Sequence, residues 1–184
     1  MLRTLPHTRV MTLPTRLVAV ALFTLLTALS ARISIEIGGP VPFTLQVLVV
    51  VLSGLTLGWR DGAIAQVAYL GMIALNMPVD SRLIGAAAFA GPTAGFLVGF
   101  VPAAALTGFL AELGGSRFVV RWAAGLAGVA LIYAFGVLWF SLSRSMALTD
   151  TWPLVAAPFV GLDIVKAFIA AGLTESVRAI LLNR

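Results

Sequence analysis

The chain holds a single lysine, Lys166, three residues after Asp163 in an otherwise apolar stretch running from Pro153 to Thr174. At helical pitch, residues i and i+3 share a face, so the two charges project into one volume. Each charge inside a bilayer costs about 2.5–3.5 kcal/mol on insertion scales. Three uses fit such a pair: binding a polar ligand, relaying a proton, or holding the bundle together as an ion pair. Ion pairs are weak stability devices when buried, because desolvation offsets the attraction, so a ligand is the preferred partner. Other polar side chains in apolar runs are few: Gln46 just after Pro42-Phe43-Thr44, Gln66, and Asn76 just before Pro78. Gln46, Asn76, Asp163 and Lys166 together would offer two amides, an anion and a cation. That set suits a small ligand with amide-like groups and a carboxylate. Tyr69 and Phe43 are the aromatics nearest these positions, with bundle packing as their ordinary role and ligand stacking as the alternative.

These residues need elements to position them, and composition says which. Of 184 residues 60% are hydrophobic and 10% charged, with a mean hydropathy of +1.07. A soluble domain carries roughly 25% charged residues, so an integral membrane protein is expected. Apolar runs of about 20 residues suffice to span. They fall at about 17–35, 44–59, 62–77, 86–111, 119–140 and 154–174, the second and third being short. Turn chemistry separates them at Gly38-Gly39-Pro40, Gly58-Trp59-Arg60-Asp61-Gly62, Met77-Pro78, Gly114-Gly115 and Trp152-Pro153. The tight Arg60-Asp61 break makes the second and third runs an antiparallel hairpin. With the N-terminus inside, Arg3, Arg9, Arg16, Arg60, Arg117, Arg121, Arg178 and Arg184 are cytoplasmic, and Arg32, Arg82 and Arg144 are external. This asymmetry obeys the positive-inside rule. Gln46 and Asn76 then lie at external helix ends, and Asp163 lies deeper, ten residues into a span that begins at 154.

The expected fold is an all-α integral membrane protein, a compact bundle of six transmembrane helices with both termini cytoplasmic. Residues 1–184 form one domain, with a short polar tail over about 1–16. Arg3, Arg9 and Arg16 ahead of a run ending Ala28-Leu29-Ser30-Ala31 also resemble a cleaved signal peptide. Cleavage would leave five spans and spoil the charge asymmetry. Gly91, Gly95 and Gly99, continued by Ala103, form a ridge for close helix contact. The scattered arginines argue against a nucleic-acid partner. Cysteine is absent and the lone His7 lies in the polar tail, which leaves no basis for disulfides, thiolate metal sites or a nucleophile–histidine pair. No P-loop, H-E-x-x-H or G-x-S-x-G occurs, so neither catalysis nor a cofactor is expected.

Several motifs carry a resemblance. They are Pro40-Val41-Pro42-Phe43-Thr44-Leu45-Gln46, Gly54 through Gly62, Tyr69 through Asn76-Met77-Pro78-Val79, Gly91-Pro92-Thr93 through Phe100, and Pro158 through Asp163-Ile164-Val165-Lys166. In order and spacing the chain resembles BioY, the biotin-binding S component of energy-coupling factor (ECF) transporters, over nearly its whole length. The resemblance implies six helices, a bacterial cytoplasmic (inner) membrane location, and high-affinity biotin capture and uptake. It implies as partners biotin, membrane lipid, a coupling transmembrane subunit and two ABC-type ATPase subunits, which would hydrolyse the ATP. By motif position, Gln46 and Asp163 face the ureido ring and Lys166 meets the valerate carboxylate. Tyr69 matches a family aromatic, and Phe43, Asn76 and Arg82 complete the expected ligand-binding set. Asp80 departs from the family pattern, as does Phe96 where tyrosine is common. Ala21 through Leu25 departs from the A-x-x-x-A docking pattern, for which Thr24 through Ala28 could substitute. An S component for another small vitamin, a stand-alone proton-coupled carrier and a membrane scaffold are the alternatives.

Overall fold

The computed structural model describes residues 12–36, 38–115 and 117–182, with side chains as far as residue 177. Arg3, His7, Arg9 and Arg184 lie outside the described residues, as do all but the last five positions of the expected tail. Helix α1 (Leu13–Ala31) leads into a short antiparallel pair, β1 (Ser34–Ile35) and β2 (Phe43–Thr44), in register Ser34↔Thr44 and Ile35↔Phe43. Helix α2 (Gln46–Ala74) follows, then a 3-10 turn over Gly85–Ala90, α3 (Ala94–Gly114) and α4 (Phe118–Arg144). A short α5 (Leu148–Val155) and a 3-10 turn over Ala157–Phe159 precede α6 (Val160–Leu182). Among the described residues, five helical stretches are long and apolar enough to cross a membrane: Leu13–Ala31, Gln46–Ala74, Ala94–Gly114, Phe118–Arg144 and Leu148–Val177.

Helix α2 is two arms folded back on one another. Gly58 has φ 81° and ψ 177°, a conformation that glycine adopts without a Cβ clash. Across the fold, Gln46 Nε2 donates to Tyr69 Oη at 2.7 Å and Gln66 Nε2 donates to Ser53 Oγ at 3.1 Å. In a straight helix, residues 46 and 69 would stand about 35 Å apart. The expected hairpin is therefore present, with its hinge at Gly58 rather than at Arg60-Asp61. Gly54 and Gly62 let the arms touch, since a Cβ on Gly62 would lie 3.0 Å from Gly54 Cα. Gly108 of α3 abuts the hinge itself: its Cβ would lie 2.4 Å from Trp59 N.

Polar ties fix α1 to this hairpin. Arg16 donates to both oxygens of Asp61 at 3.0 and 2.7 Å, and Thr24 Oγ1 donates to the Ala65 carbonyl at 3.1 Å. The first apolar run is thus packed into the bundle. The same end holds Glu112, which accepts from Trp59 N at 3.3 Å, and Arg121, paired with Glu175 of α6. The start of α1 and the later part of α6 therefore lie at one end of the bundle. The hairpin β1–β2, residues 76–93 and the α4–α5 turn form the other. Arg16, Arg60, Arg117 and Arg121 gather at the first end, and Arg32, Arg82 and Arg144 at the second. Leu17, Leu22 and Leu29 of α1 and Val165, Phe168 and Ile169 of α6 face outward, as hydrocarbon contact requires.

Two element boundaries correct the expectations. The helix expected over 86–111 begins at Ala94, because Gly91 precedes Pro92 and is extended at φ −82° and ψ 176°. The last run is broken at Ala156, ahead of Ala157-Pro158, where φ is −128° and ψ −51°. Asp163 consequently sits in the first turn of α6, not ten residues into a helix. There the helix dipole favours its negative charge.

Candidate functional site

At the second end of the bundle a cavity encloses about 590 Å3 free of protein atoms, its mouth included. One wall is the chain from Val41 to Thr44. Its apolar sides include Phe96, Leu97 and Phe100 of α3, Ile132 of α4 and Phe159. Gln46, Tyr133, Asp163 and Lys166 line it, as do Asp80, Ser81 and Thr93.

The charged pair is the polar centre of this cavity. Lys166 Nζ donates to Asp163 Oδ1 and to the Thr44 carbonyl, both at 2.6 Å, and lies 3.8 Å from the centre of the Phe43 ring. Tyr133 Oη donates to the other carboxylate oxygen, Oδ2, at 2.5 Å. Asp163 and Lys166 are 2% and 5% exposed, so each depends on these partners for its solvation. An ammonium has three donors, of which two are committed here, and a carboxylate has about four acceptor positions. Each group can therefore make one more bond to a molecule in the cavity without giving up its partners.

Gln46 opens α2 and is held from two sides. Its backbone N–H donates to Thr44 Oγ1 at 3.3 Å, and Thr44 Oγ1 stands 3.4 Å from Gln46 Oε1. Its Nε2 donates to Tyr69 Oη, which in turn donates to the Val79 carbonyl at 3.3 Å. Tyr69 is fully buried outside the cavity lining and packs 6.5 Å from Phe100, ring centre to ring centre. It orients the glutamine rather than facing the cavity.

Asn76 and Arg82 also lie outside the lining. Asn76, at φ 63°, accepts from Ala86 N through Oδ1 at 3.3 Å, which closes the loop after α2. Arg82 Nη2 donates to the Pro40 carbonyl at 2.9 Å, and its Nε lies 3.6 Å from Glu36 Oε1. Asp80 is a wall residue whose two oxygens accept from Arg82 N at 3.0 Å and Gly85 N at 2.8 Å. Of the seven residues expected at the site, Phe43, Gln46, Asp163 and Lys166 meet in one cavity, while Tyr69, Asn76 and Arg82 stand behind it. Sequence reasoning passed over Tyr133, Thr93 and Ser81. The signal for Tyr133 was present: it is one of two tyrosines in the chain, and it lies in an apolar span where its hydroxyl needs a partner. Among the described residues no group of three or more His, Cys, Asp or Glu side chains could hold a metal ion.

The arrangement combines apolar walls with a buried anion, cation and amide, a combination suited to a small amphiphilic molecule. Known proteins share both the sequence and the fold. The chain is 40% identical over 157 residues to the probable biotin transporter BioY of Pyrococcus horikoshii, covering 85% of this chain and 91% of that one. It is 39% identical over 158 residues to the biotin transporter BioY of Thermotoga maritima, with coverage of 85% and 91%. A crystal structure of the S component for biotin from an ECF-type ABC transporter superposes with a TM-score of 0.83 at 26% identity, covering 92% of this chain and 95% of that one. The BioY family matches residues 5–183. This chain, a multi-pass membrane protein, belongs to the BioY family.

Proposed function

We propose that this protein binds biotin with high affinity in the cavity between residues 41–47, α3, α4 and α6, and serves as the substrate-capture component of an ECF-type transporter. In this reading residues 1–184 are one membrane domain whose chain crosses the bilayer six times, each arm of α2 counting as one crossing. Both termini are cytoplasmic, and the cavity opens at the outer face of the cytoplasmic membrane. The gathering of Arg16, Arg60, Arg117 and Arg121 at the opposite end supports this orientation. A coupling transmembrane subunit and two ABC-type ATPases supply the energy, since the chain itself carries no P-loop.

The observation that carries the proposal is the buried Asp163–Lys166 pair opening into an apolar cavity beside Gln46. Biotin presents a ureido group with two N–H donors and a carbonyl, an apolar fused ring and chain, and a carboxylate. The ureido group meets the carboxylate of Asp163 and the amide of Gln46, and the remaining Lys166 donor meets the ligand carboxylate. Phe43, Phe96 and Phe100 cover the apolar part. Tyr133 holds Asp163 in place, and Tyr69 does the same for Gln46. Equilibrium binding of a panel of vitamins to the detergent-purified protein tests the reading. Biotin is expected to bind at nanomolar to low micromolar strength, about −8 to −12 kcal/mol. Tight binding of thiamin or riboflavin with no binding of biotin would sink it.

A further inference from the structure

Arg82 is expected to touch a ligand, yet its side chain bonds to the chain that walls the cavity. Val41 to Thr44 form one wall, and Arg82 holds the Pro40 carbonyl immediately before them. Val41 and Phe43 of this strap, Gly38 to Thr44, pack on the apolar core, but its backbone has few partners. The β1–β2 ladder joins two residue pairs, and Pro40 and Pro42 have no N–H to donate. An isolated two-stranded hairpin is marginal on its own. The strap is instead tied from outside near both ends, by Arg82 at the Pro40 carbonyl and by Lys166 at the Thr44 carbonyl.

The base from which Arg82 reaches is stiff. Buried Asp80 holds the backbone N–H of Arg82 and of Gly85. Gly85, at φ +57°, leaves no space behind it, since a Cβ there would lie 2.6 Å from Asn76 Oδ1. A pull on the strap is therefore resisted by the 76–86 loop and not followed by it. Glu36 adds little to the tie, being largely exposed and 3.6 Å from Arg82 Nε.

We propose that Arg82 is a positioning residue that latches the Gly38–Thr44 strap over the cavity and so sets how fast a bound ligand leaves, without touching that ligand. The inference rests on the biotin reading, in which Lys166 divides its donors between Thr44 and the ligand carboxylate. Arg82 is then the side-chain tie that binding does not draw upon.

The test compares Arg82→Ala with the unmodified full chain, purified in detergent, by association and dissociation kinetics of biotin and of neutral biotinamide. Dissociation should accelerate about tenfold for both ligands alike, as loss of a hydrogen bond from a charged donor implies. Association should change by less than about threefold, since related complexes differ mainly in off-rate. Arg82→Lys, which keeps a donor for the Pro40 carbonyl, should recover most of the residence time, and Glu36→Gln should leave both rates unchanged. A second arm needs no ligand. A cysteine placed by Val41→Cys in this cysteine-free chain should react faster with a water-soluble maleimide when Arg82→Ala is also present. Acceleration confined to biotin would make Arg82 a carboxylate contact and overturn the latch. Unchanged dissociation or unchanged labelling would overturn it as well. If the unmodified protein binds no biotin, the ligand reading fails by itself, and the labelling arm still decides the latch.

Discussion

Replacing Lys166 by methionine keeps most of the side-chain volume and removes the ammonium that sits 2.6 Å from both Asp163 Oδ1 and the Thr44 carbonyl. If that ammonium meets the biotin carboxylate, the substitution removes a hydrogen bond to a charged group, about 1.5–3 kcal/mol. Biotin affinity should fall by about 10- to 150-fold. Biotinamide has no anion to lose and should fall much less. The loosened Thr44 tie affects both ligands, so it cancels in the ratio of their losses, and that ratio isolates the carboxylate contact. Stability changes too, because Asp163 keeps Tyr133 at Oδ2 but loses its cation at Oδ1. Removing one partner of a buried pair costs about 3–5 kcal/mol, so the melting temperature should drop. Adding Asp163→Asn to Lys166→Met should recover much of that stability while biotin binding stays weak. Asp163→Asn alone should weaken biotin and biotinamide alike, because both carry the ureido ring. Titration calorimetry in detergent measures all four combinations. Equal losses for the two ligands in Lys166→Met would refute the carboxylate assignment and leave a purely structural ion pair.

Topology and packing give further tests. Single cysteines replacing Arg60, at the α2 hinge, and Ser145, at the α4–α5 turn, should label from opposite sides of the membrane; labelling of both from outside would break the six-crossing reading. Gly108→Ala drives a Cβ to 2.4 Å from Trp59 N and should destabilise by about 1–3 kcal/mol in a detergent melt. Gly172→Ala, where no atom lies within 4 Å, should instead leave stability equal or raise it by up to about 1 kcal/mol. An unchanged melt for Gly108→Ala would mean that α3 does not press on the hinge.

Much of the fold follows from rules that act over a few residues. Apolar runs of sufficient length must be helical in a bilayer, since every backbone polar group has to be satisfied internally. The Gly58–Gly62 break could be read as a reversal because glycine and charge rarely interrupt a span otherwise. The hinge residue itself could not, because Gly58 and Gly62 are equally permissive locally, and the close approach of Gly108 to the Gly58–Trp59 backbone is a contact with another helix that no local rule shows. The true starts of α3 and α6 were hidden for a related reason. Alanines and glycines around Gly91-Pro92 and Ala156-Ala157-Pro158 are apolar enough to pass for helix. In the fold they form turns that deliver Thr93 and Phe159 to the cavity wall.

The candidate site was legible by residue type more than by place. Desolvation makes glutamine, aspartate and lysine rare in apolar spans, so Gln46, Asp163 and Lys166 stand out by residue type alone. Asn76 stands out by the same rule and Arg82 enters with the family resemblance, but neither signal says where a polar group points. Asn76 closes its own loop, and Arg82 spans 42 positions to a backbone carbonyl. Tyr133 escaped because an aromatic in a span is ordinary packing until a partner is found, and its partner lies 30 positions away. The bond from Lys166 to Thr44 crosses 122 positions and joins the charged pair to the chain that covers the cavity. That link also changes what the pair does. Read locally, Asp163 and Lys166 are an i,i+3 ion pair on one helix. Read with Thr44 and Tyr133, they are a polar centre that also holds the chain lining the cavity. On the proposed reading one ammonium serves both the ligand and the Thr44 carbonyl, so a substitution at Lys166 has to be judged by both affinity and residence time.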